Sequence, residues 1–538
     1  MKEDEQYLLE SEFSDGIRAG CSNVDLVNGQ NFGYIDSMRV SRANRRRPKN
    51  ISSDDPSSNR SCLLISFAVT GCVVVTFFAA ITLIQLQHSI LLRTLLETCD
   101  KFKYSAIDYT AYSADPSLPV NQAFVFRRPP NVVNLDCAKL LEGTDKDYIR
   151  EAATHRVKYK DDPRLPMDCA SIKRRNYFAQ KSASKEEENF PIAVSRTVFK
   201  DYFFLETELS VSYAPQNWYC YALDEKTDET FRARMHSLSA CLSNVVITHR
   251  EWKMDSAGHN MSFSHLECMK LLSTKERKWN YMILLQNHDV ALKTNEELVQ
   301  ILQWFGGAND VEVVKTPWGR VNYNLNWTFE HLKLFRDEFR NIIGANGYEP
   351  KLAFAKGLVE SSFSRPAVEF MVNELNLEIM YLQLETEKYG VDEISLPTLQ
   401  ATDAIGLPGG FTHKCLAKGI GVGFVSRFTI WGDRMNKCGS HHSRHYLCVF
   451  GVEDLSLNLR DSVYLFANKL MPEFDFGAIS CWHETIFNRT QLDRGTHRLK
   501  PEVYKQLPTV RYHAEKKANG SVDLDKFDCH YNISFYTT

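Results

Sequence analysis

The 538 residues contain no GxxxxGK phosphate loop, no GxSxG elbow, no HExxH helix and no GxGxxG turn between a strand and a helix. Nucleotide hydrolases with a phosphate loop, serine hydrolases of the elbow type, zincins and classical dinucleotide enzymes therefore lack positive support. The chain also lacks a strong charge balance: 64 Lys and Arg against 67 Asp and Glu leave a net charge of −3. Its one basic run has no aromatic interleaving, so nucleic acid is not an expected partner. No internal repeat is evident, and 43% apolar with 24% charged residues excludes fibrous and wholly disordered classes.

What is present begins with a charge-free stretch, Ser61 to Ile84. Residues 62–84 suffice to cross a bilayer as one helix. A cleaved signal peptide is the competing reading, but the run starts some sixty residues in and is long for such a segment. Arg42, Arg45, Arg46, Arg47, Lys49 and Arg60 precede it, so positive charge places the amino terminus in the cytoplasm and leaves anionic lipid as that run's natural contact. The expected order is a disordered tail over 1–61, a transmembrane helix over 62–84, a stem over 85–130 and a folded domain over 131–538. Eleven of the 14 cysteines, Cys99 onward, fall on the oxidising side, where disulfides are the default. Sequons at Asn260, Asn326, Asn488, Asn519 and Asn532 lie on that side too and would carry glycan only on surface loops.

Within the domain, residues 191–198, 218–223, 245–249 and 279–286 have the β-branched and aromatic content of strands. Residues 203–213, 229–241 and 262–272 carry apolar side chains at helical intervals. Strands alternating with helices predict a parallel α/β sheet with its ligand beyond the carboxyl ends of the strands.

Eight segments then occur in a fixed order: FPIAVS (190–195), APQNWYCYALDEK (214–226), SACLSNV (239–245), ECMKLL (267–272), NHDVALKTN (287–295), YGVDE (389–393), CVFGVEDL (448–455) and LFANK (465–469). Together they resemble the core-2 and I-branching β-1,6-N-acetylglucosaminyltransferases, a family that also holds the peptide xylosyltransferases. The resemblance implies a Rossmann-like GT-A glycosyltransferase domain behind a single N-terminal transmembrane helix, held in the Golgi membrane with its catalytic domain in the lumen. It implies an inverting transfer of N-acetylglucosamine from UDP-GlcNAc to a hydroxyl of a glycan or glycoprotein acceptor, with no metal or other cofactor. Consistent with that, Leu223-Asp224-Glu225-Lys226 holds no Asp-x-Asp where a metal motif would sit. Peptide xylose transfer and a catalytically idle glycan-binding protein at the cell surface are the alternatives.

The same resemblance assigns roles. Glu393 matches the catalytic Glu, a general base for the attacking hydroxyl. Lys469 and Arg444, with His445 as a competing alignment for the latter, match the cations that replace a metal at the departing diphosphate. Asp224 matches the nucleoside-binding Asp, whose carboxylate accepts hydrogen bonds. The acceptor-binding Glu of the family falls on Val314, whereas Trp431 offers either a sugar-stacking wall or core packing. The implied disulfides are Cys137 with Cys481, Cys169 with Cys241, Cys220 with Cys268 and Cys438 with Cys448. Cys415 and Cys529 are additional, and Cys99 in the stem either cross-links a homodimer or is a free or differently paired thiol. Cys438, His441, His442, His445 and Cys448 offer zinc-ligating side chains as a rival to the last disulfide. The loop Asp255 to Asn260 is expected near the donor, without an assigned task.

Overall fold

The computed structural model describes residues 125–531. The expected tail, the transmembrane helix, Cys99 and Asn532 lie outside the described residues. Among those described, no helix is long and apolar enough to cross a membrane. The last residues assigned to the stem already belong to the domain, because Phe126 packs on Phe487 and Arg128 lies 2.6 Å from Glu484.

Four strands form the centre: β1 (Ile192–Val198), β2 (Trp218–Leu223), β3 (Val245–Ile247) and β4 (Tyr281–Leu285). They run parallel in the order β3-β2-β1-β4, and a short β6 (Ser362–Ser364) adds an antiparallel edge beside β4. The near-continuous apolar sequence of these strands follows from helices covering both faces. Side-chain alternation sorts the residues: Tyr219, Tyr221 and Leu223 of β2 join one core, and Cys220 and Ala222 join the other.

Helices α1 (Tyr202–Ser212) and α2 (Glu229–Cys241) pack on the first face, and α3 (Met261–Ser273) on the second. The connection from β3 to β4 thus crosses back over the sheet with its helix on the opposite side. That reversal makes the β1/β4 boundary a topological switch point, where such sheets open a crevice. Strand 245–249 ends earlier than its composition suggests, at Ile247.

A second, three-stranded sheet sits past that crevice. It orders β5 (Val290–Ala291), β10 (Phe466–Ala467) and β7 (Arg427–Phe428) as β5-β10-β7. A hairpin follows the same scheme with β8 (Ser443–Arg444) and β9 (Leu447–Cys448). Its two-residue turn, His445 and Tyr446, has φ of 53° and 60°, the positive pair that a type I′ turn requires.

Helices α4 (Asn295–Phe305), α5 (Asp392–Ala401) and α6 (Pro472–Gln491) complete the frame. The chain is stapled by Cys137–Cys481, Cys169–Cys241, Cys220–Cys268 and Cys438–Cys448, and by a fifth bond, Cys415–Cys529. The fourth of these ties up the two thiols a zinc site would need. The surface-loop expectation for the sequons needs correction. Asn488 lies inside α6, and Asn260 begins α3 with its amide donating to the Lys253 carbonyl at 2.8 Å. Asn519 is the exposed last residue of a helix, and Asn326 is exposed outside any helix or strand.

Candidate active site

The first turn of α5 carries Glu393, and the local sequence explains its setting. Pro397 stands four residues on and has no N–H, so the Glu393 carbonyl is left without its intrahelical donor. That carbonyl instead accepts the Gly357 N–H at 2.9 Å, which clamps the segment 351–361 beside the carboxylate. From that segment Lys356 places its ammonium 3.6 Å from Glu393, and Arg320 donates to the same Oε2 at 2.6 Å.

Lys356 also lies 5.9 Å from the centre of the Trp431 ring, so Trp431 and Glu393 share one wall. Glu312 faces the same place. Burial lifts its carboxyl above the usual range, Lys356 opposes this and Glu393 adds to it. Val314, where the family's acceptor Glu was expected, exchanges backbone hydrogen bonds with Lys356 at 2.8 and 2.9 Å. The nearby carboxylate is therefore Glu312, two residues earlier on the same face.

The loop 255–260 acquires a task here. Ala257 accepts from the Gly390 and Val391 amides at 2.6 and 3.1 Å, and His259 reaches the Glu387 carbonyl at 2.9 Å. Gly258, at φ 90°, comes so near that a Cβ there would lie 2.0 Å from Asp392 Oδ1. The loop is thus a buttress behind the first turn of α5, which carries Glu393. Its upstream end, Trp252, bridges Asp224 at the carboxyl end of β2. Asp224 is buried, with Oδ1 accepting from the Lys226 amide at 3.0 Å.

Across the crevice the small sheet gathers charge. Asp289 precedes β5, Arg427 opens β7 and Lys469 follows β10 by two residues. Arg427 is buried against Glu360, with Asp289 3.6 Å away. Burial pushes the Glu360 carboxyl up despite Arg427. The ammonium of Lys469 makes no hydrogen bond or ion pair among the described residues. Burial, then Arg427 and Arg444, bring its pKa down to about 8. His445 is lowered by burial and by Lys469 and Arg444, which puts all three at one locus. Arg444 points from the hairpin to Glu473, 3.3 Å away at the start of α6.

Glu393 and Trp431 therefore meet at one wall, and Lys469 and Arg444 meet at another. Arg427 is within electrostatic reach of both Glu393 and Lys469 and so links the two groups. Asp224 sits on the sheet beyond the buttress loop. Arg320, Lys356, Glu312 and Arg427 carry no motif, and only their convergence in space reveals them.

The family profile described as Branch: Core-2/I-Branching enzyme matches residues 192–457, a span that includes Glu393, Asp224 and Arg444. The bovine β-1,3-galactosyl-O-glycosyl-glycoprotein β-1,6-N-acetylglucosaminyltransferase is 29% identical over 375 residues, 66% of this chain and 85% of its own. The human N-acetyllactosaminide β-1,6-N-acetylglucosaminyl-transferase is 27% identical over 306 residues, 56% of this chain and 73% of its own. Among solved structures, the yeast mannosyltransferase Ktr4p aligns over 52% of this chain and 82% of its own at 14% identity, with a TM-score of 0.22, too low to bear on the fold. With this profile match and these relatives, the protein is a glycosyltransferase. It belongs to the Core-2/I-branching enzyme family, as a divergent member.

Proposed function

We propose that this enzyme transfers N-acetylglucosamine from UDP-GlcNAc to a hydroxyl of a glycan acceptor, with inversion, on a GT-A type domain. The observation that carries the reading is the pairing of walls: Glu393 held by Arg320 and Lys356, opposite Lys469 and Arg444. The relatives' names supply the sugar and suggest β-1,6 branching of O-glycans. In the proposed step Glu393 takes the proton of the acceptor hydroxyl, whose oxygen bonds to the anomeric carbon as the bond to the β-phosphate oxygen breaks on the opposite face. Lys469 and Arg444 receive the charge of the departing UDP, the task a divalent ion performs elsewhere. Asp224 holds the nucleoside, and Trp431 lies against the apolar face of the acceptor sugar. Five disulfides suit an oxidising lumen and support a Golgi type II enzyme.

The test is turnover by the full-length chain in detergent, with a panel of UDP sugars, a broad glycan acceptor panel and excess EDTA. Selective use of UDP-GlcNAc is the expected result. Selective use of UDP-xylose on serine peptides would replace the proposed sugar, and glycan binding without turnover of any donor would replace the proposed activity.

A further inference from the structure

Beyond the two cations already described, Lys200 stands at the mouth of the same crevice. It lies two residues after β1, at the switch point, and the Phe199 and Lys200 amides both donate to Asn287 Oδ1, at 2.8 and 3.3 Å. That carboxamide, the first residue after Gln286 at the end of β4, fixes the turn from which Lys200 extends. Asp201, next in line, has φ 62° and pairs its carboxylate with His288 Nε2 at 2.7 Å.

The Lys200 ammonium lies 2.6 Å from Glu473 Oε1 and 3.6 Å from Asp201 Oδ2. Arg444 Nη1 reaches that same Glu473 Oε1 at 3.3 Å, from a different element. One carboxylate oxygen thus holds two cations, while the other, Oε2, is buried without a hydrogen-bond partner. Asp201, His288 and Glu473 bring ligand atoms within 4.8 Å of one another, a set suited to a divalent cation. Lys200 lies against both carboxylates of that set and supplies positive charge there itself. Lys200, Arg444 and Glu473 are all partly open to solvent, so a ligand entering the crevice has access to them.

Resting on the reading of Lys469 and Arg444 as leaving-group cations, we propose that Lys200 is a third cation for the donor diphosphate, and that Glu473 is its stand-in anion. Between turnovers Glu473 holds Lys200 and Arg444 in place. An arriving diphosphate carries more negative charge than one carboxylate, and both cations turn to it; Glu473 takes them back as UDP departs. Removing the Glu473 charge therefore strengthens the hold on UDP, because a repelling anion is lost from beside it.

Binding of UDP and of uridine to the full-length chain in detergent with EDTA tests this. A charge-assisted contact of this kind corresponds to roughly tenfold or more in affinity. Lys200→Ala is expected to weaken UDP by about that factor and leave uridine within about twofold, with Lys200→Arg restoring most of the loss. Glu473→Gln is expected to tighten UDP by about threefold or more. Lys469→Ala separates the two layers of the argument. If it weakens UDP while Lys200→Ala does not, the role of Lys200 is overturned and the donor reading stands; if neither weakens UDP, both fall. Equal loss of UDP and uridine in Lys200→Ala would mark a structural role and overturn the proposal, as would weaker UDP binding in Glu473→Gln. Should Lys200→Ala not fold, Lys200→Gln, which keeps the length of the stem, is read by the same criteria.

Discussion

Glu393→Gln isolates the chemistry of one carboxylate. The substitution keeps the size of the side chain and the backbone clamp from Gly357, and removes a charge that faces Arg320 at 2.6 Å and Lys356 at 3.6 Å. Loss of a positioned base lowers turnover by about 10²–10⁴-fold. The two cations lose their counter-ion, but with the pair 12–17% exposed the cost to stability stays near 1–3 kcal/mol, below that of a fully buried pair. UDP affinity is expected to stay within about threefold, since the carboxylate touches neither Lys469 nor Arg444. The assay is initial-rate transfer from UDP-GlcNAc at saturating donor and acceptor, alongside UDP titration and a thermal melt of the same preparation. Unchanged kcat would remove Glu393 as the base. A parallel collapse of UDP affinity and kcat would assign it to the donor side instead.

The remaining predictions concern the surroundings of that group. Lys469 loses its proton near pH 8 in the free protein, and only the charged form attracts a diphosphate, so UDP affinity is expected to be full near pH 7 and to fall by up to about tenfold per unit above pH 8. Lys469→Arg should flatten that profile; a wild-type affinity level from pH 7 to 9.5 would contradict it. Burial, then Glu393, pushes Asp392 up to about 7, so the folded state keeps a proton that the unfolded chain sheds near pH 4. Its contribution is present below pH 4 and lost as pH rises through 7, by up to about 1.4 kcal/mol per unit. Asp392→Asn is therefore expected to melt later than wild type at pH 7.5, with the gap closing toward pH 4. Gly258→Ala drives a methyl into Asp392 at a φ of 90°; turnover should drop at least about tenfold and stability by about 1–3 kcal/mol, readable by kinetics and a denaturant titration.

The central sheet was legible because the segments that hold β1 to β4 are apolar runs of five to eight residues separated by helical periodicity, and each of these four strands overlaps its expected segment. The edge strand β6 and the sheet β5-β10-β7 were not, because strands of two or three residues carry no period. Glu393, Lys469 and Arg444 were visible only through their ordered motifs. Arg320 and Lys356 were invisible for a physical reason: a lone cation in a loop resembles a solvated one until the fold sets it against a carboxylate. Pro397 belongs to none of the ordered motifs, yet its missing N–H is what frees the carbonyl that Gly357 takes. Cys415 and Cys529 lacked an assigned partner because pairing depends on distance in space, which spacing along the chain does not report.

The Cys137–Cys481 bond joins positions 344 residues apart. During synthesis Cys137 is therefore made long before its mate exists, and it must wait while Cys169, Cys220, Cys241 and Cys268 appear beside it. The pairs at separations of 72 and 48 can close early, whereas this one can close only after the cationic wall and the start of α6 have been made. Pairing of Cys137 with Cys481 thus reports synthesis through α6: a product that stops short of Cys481 is left with a Cys137 thiol that lacks its proper partner.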